Sequence, residues 1–238
     1  MNLLAFDTST ETLSVAVQTT APDGSLQTWE HTGTGGAQAS STLIPTINRL
    51  MAQAALQYKD LRAIAFGCGP GSFTGLRTAC SVAQGLGFGA DVPLLPVDSL
   101  LAVAEEARHH HGTTQVLSLL DARMDEVYAA HHVFDPALGW QRTGDMHLLK
   151  PEAVHADPGE TLAGNAFAAY GPRLPQQPYI VALPTAGALL RLAPSLLAAG
   201  QAVPAACALP LYVRNKVAQT TVERAAIVAA RLALEPSP

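Results

Sequence analysis

The chain has 238 residues, 48% of them apolar and 14% charged, which supplies a real core and excludes a disordered chain. At about 150 residues per domain, that length predicts one large domain or two modest lobes. A net charge of −5 excludes a chain that grips a nucleic-acid backbone by itself, because phosphate binding needs a basic surface.

Leu3-Leu4-Ala5-Phe6 reads as a short buried strand ending in Asp7, followed by the polar turn Thr8-Ser9-Thr10-Glu11. Leu13, Val15 and Val17 then alternate with Ser14, Ala16 and Gln18, a second strand of period two. A turn at Ala21-Pro22-Asp23-Gly24-Ser25 leads to a third strand over 26–31 and a glycine-rich, mobile link over 32–38. From Ser41 the period becomes helical. Leu43, Ile44, Ile47, Leu50, Met51 and Ala54 share one face, Ser40 or Ser41 is the predicted cap, and Pro45 falls early enough to be tolerated.

A buried strand over 63–66 runs into Gly67-Cys68-Gly69-Pro70-Gly71-Ser72, and a helix follows over 73–88. A strand over 94–97 and a helix over 99–109 come next, with Leu100, Val103, Ala104 and Ala107 inward. The opening pattern then returns. Val116-Leu117-Ser118-Leu119-Leu120 ends in Asp121, a polar turn occupies 122–125, and 127–134 is strand-like. Asp121 falls on Asp7 and Val127 on Leu13 at one offset of 114 residues, so two related lobes begin with the same hairpin. The stretch 135–184 is patterned weakly, and helices over 187–199 and 220–234 close the chain.

The loop from Gly67 to Gly75 is the strongest chemical signal. Glycines between a strand and a helix let backbone N–H groups converge where anions bind. Yet Leu76-Arg77 stands where a P-loop carries its lysine, and Ser72 takes the third glycine position of a dinucleotide fingerprint. An anion site built from Asp7, Gly69, Gly71 and Ser72 and a tight structural turn both remain open. Gly75, Ala79, Ala83 and Gly87 recur every four residues, which permits close helix approach, either by a partner or by the lobe's own sheet. Asp7 and Asp121 at strand ends suit a metal–phosphate or a turn cap.

No metal site is predicted. His109-His110-His111 point in different directions around a helix, and His131 and His132 fall on opposite faces of a strand. Cys68, Cys80 and Cys207 form no C-x-x-C pair and read as small buried thiols of a cytoplasmic protein. No signal peptide or membrane span is visible, and no nucleophile–base arrangement announces itself, so no catalytic residue is assigned.

Leu4-Ala5-Phe6-Asp7-Thr8-Ser9-Thr10, Gly69-Pro70-Gly71-Ser72-Phe73-Thr74-Gly75-Leu76-Arg77 and Leu120-Asp121-Ala122-Arg123-Met124-Asp125-Glu126-Val127-Tyr128 resemble the signature segments of the TsaB (YeaZ) family. Pro210-Leu211-Tyr212-Val213-Arg214 is similar to that family's end. The resemblance implies a two-lobed α/β fold of the actin, sugar-kinase and Hsp70 type (ASKHA), with duplicated ribonuclease H-like lobes and a reduced second lobe. On that reading, residues 1–111 form the N-terminal lobe, with the glycine loop and partner-binding helices. Residues 112–238 form the C-terminal lobe, with the repeated hairpin and closing helices.

The resemblance also implies a non-catalytic scaffold for threonylcarbamoyl transfer to the adenosine beside the anticodon of tRNA. Its partners are the catalytic paralogue TsaD, in a heterodimer, and the ATPase TsaE. Alone the chain is expected to form a homodimer, to meet tRNA only through the complex, and to contact no membrane. The implied partner surface is Leu43, Ile44, Ile47, Leu50 and Met51 with Gly75, Ala79, Ala83 and Gly87. No cofactor is implied beyond a nucleotide at the interface with partners.

TsaD carries a metal-binding His-x-x-x-His on the helix after this unit, and the matching positions here are Ser99 and Val103. Neither side chain replaces an imidazole as a ligand. The position of Ser9, where actin-type kinases favour glycine, and Ala39, where the family often has histidine, depart from the pattern. Two other classes stay in view: an ATP-dependent phosphotransferase or ATPase using Asp7 and the glycine loop, and a metalloprotease, which lacks visible ligands. Arg77 and Arg123 stand out where charge is scarce, and a structural ion pair is the expectation for Arg77.

Overall fold

A computed structural model of the protein describes residues 1–214. The helix predicted over 220–234 lies outside the described residues.

The first half runs β1 (Leu3–Asp7), β2 (Thr12–Thr20), β3 (Leu26–Thr34), α1 (Ala39–Gln53), β4 (Ala63–Gly69), α2 (Phe73–Ala90), β5 (Leu94–Asp98) and α3 (Ser99–His111). Its sheet has the order β3-β2-β1-β4-β5, with the first three strands antiparallel and β4 and β5 parallel to β1. The second half runs β6 (Gln115–Arg123), β7 (Glu126–Asp135), β8 (Gly139–Leu149), β9 (Thr161–Gly164), α4 (Phe167–Tyr170), β10 (Tyr179–Val181) and α5 (Ala186–Ala198). Its order, β10-β9-β6-β7-β8, is the same topology met again, with β6, β9 and β10 parallel. Two such sheets make the duplicated ribonuclease H-like, actin-type α/β fold. Among the described residues no helix is long and apolar enough to cross a membrane.

The sequence reading misses β8 because its residues alternate poorly. It is an edge strand, mostly exposed, held to β7 across a register shift. The glycine-rich link is not the mobile segment predicted. Gly35 N–H donates to the Glu11 carbonyl at 2.8 Å, and a Cβ on Gly35 would lie 2.7 Å from the Thr12 backbone. Helix α1 starts at Ala39 without a serine cap; Ser41 and Thr42 instead donate their hydroxyls to the Gln38 carbonyl.

On the outer face of the first sheet, α1 and α2 cover Leu4, Phe6, Leu13, Val15 and Val17. This packing corrects the partner surface read from the sequence. Leu43, Ile47, Leu50, Met51, Ala79 and Ala83 all lie in that core, at most 3% exposed. Gly75 and Gly87 are buried as well: a Cβ on Gly75 would stand 1.8 Å from the Thr8 carbonyl oxygen, and one on Gly87 2.7 Å from Leu94. Only Ile44, 45% exposed, faces outward. The apolar and small-residue stripes are what a helix needs to lie on its own sheet.

Between the two sheets the lobes exchange helices. Leu100, Val103, Ala104 and Ala107 of α3 pack on Val116, Leu120, Ala130 and Ala163 of the second sheet. Leu189, Leu190, Leu192 and Ala193 of α5 pack on Leu3, Ala5, Ala63 and Ala65 of the first. The division at 111/112 therefore separates the sheets but not the cores, because α5 completes the first core and α3 the second. Inside this layer Arg191 bonds Glu105 at 2.9 Å and Glu106 at 2.6 Å, and the Trp140 indole N–H donates to Glu105. Burial works against the Glu105 carboxylate, but its bonds from Arg108, Trp140 and Arg191 outweigh it and hold its pKa below the usual range.

Leu43→Ala is expected to cost about 3 kcal/mol in a urea titration, because it opens a cavity in a closed core. Ile44→Ala, one residue on and exposed, is expected to change stability by less than about 0.5 kcal/mol.

Candidate functional site

A cleft of about 380 Å³ lies between the lobes. One wall is the β1–β2 turn and the start of α2, with Ser9, Thr10, Glu11, Gly71, Ser72 and Phe73. The other is the β6–β7 turn, with Asp121, Ala122, Arg123, Met124, Tyr128 and Asn165.

The two walls repeat each other down to single hydrogen bonds. Asp7 Oδ1 accepts the Ser9 N–H at 2.8 Å, and Asp121 Oδ1 accepts the Arg123 N–H at 2.8 Å, each an aspartate turn two residues long. Their outer shells then differ. Asp7 is wholly buried and is not part of the cleft wall; Ser9 Oγ also donates to its Oδ1, and Oδ2 has no partner. That oxygen lies against Gly67, where a Cβ would come within 1.7 Å of it. Burial raises the Asp7 pKa to about 6 against the opposing Ser9 bonds. Asp121 remains at the cleft, where it also accepts the Tyr170 hydroxyl and pairs with Arg123 at 3.3 Å, while its own N–H donates to Asn165.

The candidate anion residues are thus only partly brought together. Gly71 and Ser72 line the cleft, whereas Asp7 and Gly69 do not. The glycines serve a close approach of backbones. A Cβ on Gly71 would meet the Ser9 carbonyl oxygen at 2.4 Å, and one on Gly69 would meet that of Leu211 at 2.6 Å, at a φ of +124°. The Ser72 N–H donates to the Ser9 carbonyl at 2.7 Å, and the Thr8 hydroxyl donates to the Gly75 carbonyl at 2.7 Å. Ser72 caps α2 by accepting the Gly75 N–H. The peptide Gly69–Pro70 is cis.

Sequence reasoning misses the back of the cleft, where 208–214 crosses from one lobe to the other. Ala208 is buried in the first core, and the Leu211 N–H donates to the Cys68 carbonyl at 2.7 Å. Arg77 Nε donates to the Tyr212 hydroxyl at 3.1 Å, and its guanidinium lies 3.9 Å over the Phe73 ring. Among the described residues Arg77 is therefore stacked on Phe73 and hydrogen-bonded to Tyr212 rather than ion-paired. Arg214 closes the other end on Glu126 at 2.6 Å and on the Ala122 carbonyl at 3.0 Å. Across the mouth, Arg123 reaches Glu11 at 2.7 Å. Asn165 had one signal in sequence, the apolar run Leu162-Ala163 ending in Gly164, but nothing there names its partner.

Ser99 and Val103 are fully buried in α3, and Ser99 Oγ has no hydrogen-bond partner among the described residues. Cys68 and Cys80 are buried thiols as predicted, the former pushed up to about 12 by burial and by Asp98 and Asp7; Cys207 is exposed instead, on the surface of the segment before the crossing.

The family model of TsaD, described as tRNA N6-adenosine threonylcarbamoyltransferase, matches residues 30–139. The tRNA threonylcarbamoyladenosine biosynthesis protein TsaB of Escherichia coli (strain K12) is 34% identical over 229 residues, covering 92% of this chain and 96% of that one. The TsaB of Haemophilus influenzae is 34% identical and covers 91% and 95%. A solved structure of YeaZ from Pseudomonas aeruginosa superposes with a TM-score of 0.79 at 37% identity, covering 89% of this chain and 99% of that one.

The raised Asp7 pKa fixes a sign. Against an unfolded value near 3.8, a folded value of about 6 means its contribution to stability is full below about pH 4 and lost as pH rises through 6. Asp7→Asn removes that loss. Its stability relative to the parent is expected to improve by about 2 kcal/mol between pH 4 and pH 7, read by denaturant titration at both. Asp98, also raised to about 6 by burial, titrates in both proteins and cancels.

Proposed function

This chain belongs to the TsaB family of tRNA threonylcarbamoyladenosine biosynthesis proteins, and from that membership we propose that it acts as a non-catalytic scaffold and activating subunit. It works through a heterodimer with the catalytic paralogue TsaD, with the ATPase TsaE joining the assembly, in threonylcarbamoyl transfer to the adenosine next to the anticodon. Transfer RNA meets the chain only through that complex, and a nucleotide, where present, sits at the interface with partners.

The observation that carries this reading is the state of the glycine loop. Its Ser72 amide is engaged by Ser9, its glycines are closed by neighbouring backbone, and the nearest carboxylate, Asp7, is sealed away from the cleft. A phosphotransferase needs those groups free and aimed at a phosphate. Ser99 and Val103 support the same reading, since both are buried apolar-site packing where TsaD carries its metal-binding histidines.

The partner surface consistent with the fold is the outward row of α1 and α2, not their buried stripe. It contains the exposed Ile44 and Phe88, the latter 82% exposed, and a shallow groove lined by Phe73, Arg77, Ser81 and Val82. A large exposed aromatic side chain beside a polar rim is the composition of an interface anchor.

Size-exclusion chromatography with light scattering tests the reading, on this chain alone and mixed with TsaD from the same source. The expected result is a homodimer that gives way to a mixed complex. Phe88→Asp is expected to weaken that complex at least about tenfold while leaving thermal stability unchanged. A chain that ignores TsaD overturns the scaffold reading; full binding by Phe88→Asp overturns the surface alone.

A further inference from the structure

In the first lobe two long helices cover the outer face of the sheet. In the second, the described residues place there the 3-10 turn Pro151–Ala153 and the four-residue α4. The gap is a cavity of about 250 Å³ bordered by Ala129, Val154 and three histidines, His131, His147 and His155.

At its edge His131 Nδ1 stands 2.8 and 3.0 Å from the two carboxylate oxygens of Glu160. That carboxylate is 4% exposed, and among the described residues no lysine or arginine pairs with it or with Asp157. The Asp157 N–H donates to Glu160 Oε2 at 2.8 Å, which draws the Asp157 side chain alongside. One ligand atom from each of the three residues lies within 4.8 Å of the others.

We propose that His131, Asp157 and Glu160 bind one divalent transition-metal ion of the zinc class, which fastens the 150–160 segment to β7. Two carboxylates held this close repel each other, and a cation placed between them removes that repulsion. One nitrogen and two carboxylate oxygens, with water or a cavity imidazole as fourth ligand, make a donor set that zinc accepts. Tetrahedral ligands about 2.0–2.1 Å from zinc stand about 3.4 Å apart, so side-chain adjustment suffices to close the site. On binding, His131 Nδ1 gives up its hydrogen bond to Glu160 and the neutral ring carries its proton on Nε2. His155 has its Nδ1 2.8 Å from the Ala153 carbonyl, so it donates there and keeps its Nε2 lone pair available. The periodicity of β7 excludes pairing His131 with His132, but it says nothing of Glu160, which reaches His131 from 29 residues away.

Calorimetric titration of the chelator-treated full chain with Zn²⁺, with Mg²⁺ as the hard-cation comparison, tests the site. The competing ligands are His109-His110-His111 at the end of α3, so a variant with all three changed to Gln is measured in parallel. The expected result is one equivalent of Zn²⁺ and none of Mg²⁺, retained by that triple variant and lost in His131→Gln. Asp157→Asn, at an exposed residue whose side chain makes no hydrogen bond or ion pair among the described residues, is expected to weaken binding at least tenfold and to abolish the zinc-dependent rise in Tm, so the result does not depend on how His131→Gln folds. Absence of zinc binding by the parent overturns the proposal. So does binding that survives Asp157→Asn unchanged, or binding that disappears with the α3 histidines.

Discussion

Everything in this molecule depends on each sheet being closed on its inner face by the other half's helix. A five-stranded sheet with one bare face is unstable in water, because its alternate side chains have nowhere to bury. Here α3, made by the first half, lies on β6, β7 and β9, and α5, made by the second, lies on β1, β2 and β4. Neither half has a finished core without the other. The exchange also puts Glu105, Glu106 and Arg191 in the interior, where the acids are tolerated because each carboxylate meets the same guanidinium. Removing Arg191 would leave Glu105 with Arg108 and Trp140 but Glu106 without its guanidinium, whereas removing one acid would leave the other paired.

From that arrangement the cleft follows. Duplicated sheets joined back to back bring their first hairpins face to face, and each hairpin turns on an aspartate that accepts the amide two residues later. The halves then diverge by what surrounds the turn. In the first, α2 presses the glycine loop onto the turn so closely that Gly75 closes on Thr8, and Ser9 and Gly67 leave no gap around Asp7. In the second, the shorter α4 brings Tyr170 and Asn165 to Asp121, and the turn bulges outward through Arg123, Met124 and Asp125, all at positive φ. Symmetric topology thus yields one sealed wall and one polar wall.

Much of this was legible in the residues. The hairpin repeat at an offset of 114 anticipated the second sheet, and period-two and helical spacing placed β1, β2, α1, β4, α2, β5, α3, β6, β7 and α5. What spacing could not resolve was whom an apolar stripe faces. Leu43, Ile47 and Leu50 satisfy the same spacing whether they meet a partner or Leu4 and Phe6, and covering the lobe's own sheet takes precedence because that core must close first. Contacts between distant residues left no trace at all. Glu160 beside His131, Arg191 beside Glu105 and Tyr212 beside Arg77 each join segments whose local patterns are silent about one another. The family resemblance filled a different gap, since it pointed to 210–214 as a signature before any physical reason for that segment was visible.

That reason lies in the crossing itself. A segment that only capped the chain would need contacts to one lobe, yet 208–214 is tied to both: to Cys68 and Arg77 on one side, and to Glu126 and the Ala122 carbonyl on the other. Any rotation that widened the cleft at its back would have to break one of these sets, including the charge-assisted pair at Arg214. The Arg123–Glu11 pair at the mouth is exposed on both sides and resists opening far less. The back of the cleft is thus tied to both lobes by 208–214, whereas its mouth is spanned by the exposed Arg123–Glu11 pair. Because Tyr212 touches both Arg77 and Phe73, the tie rests on the first turns of α2, the helix whose outward row forms the proposed partner surface.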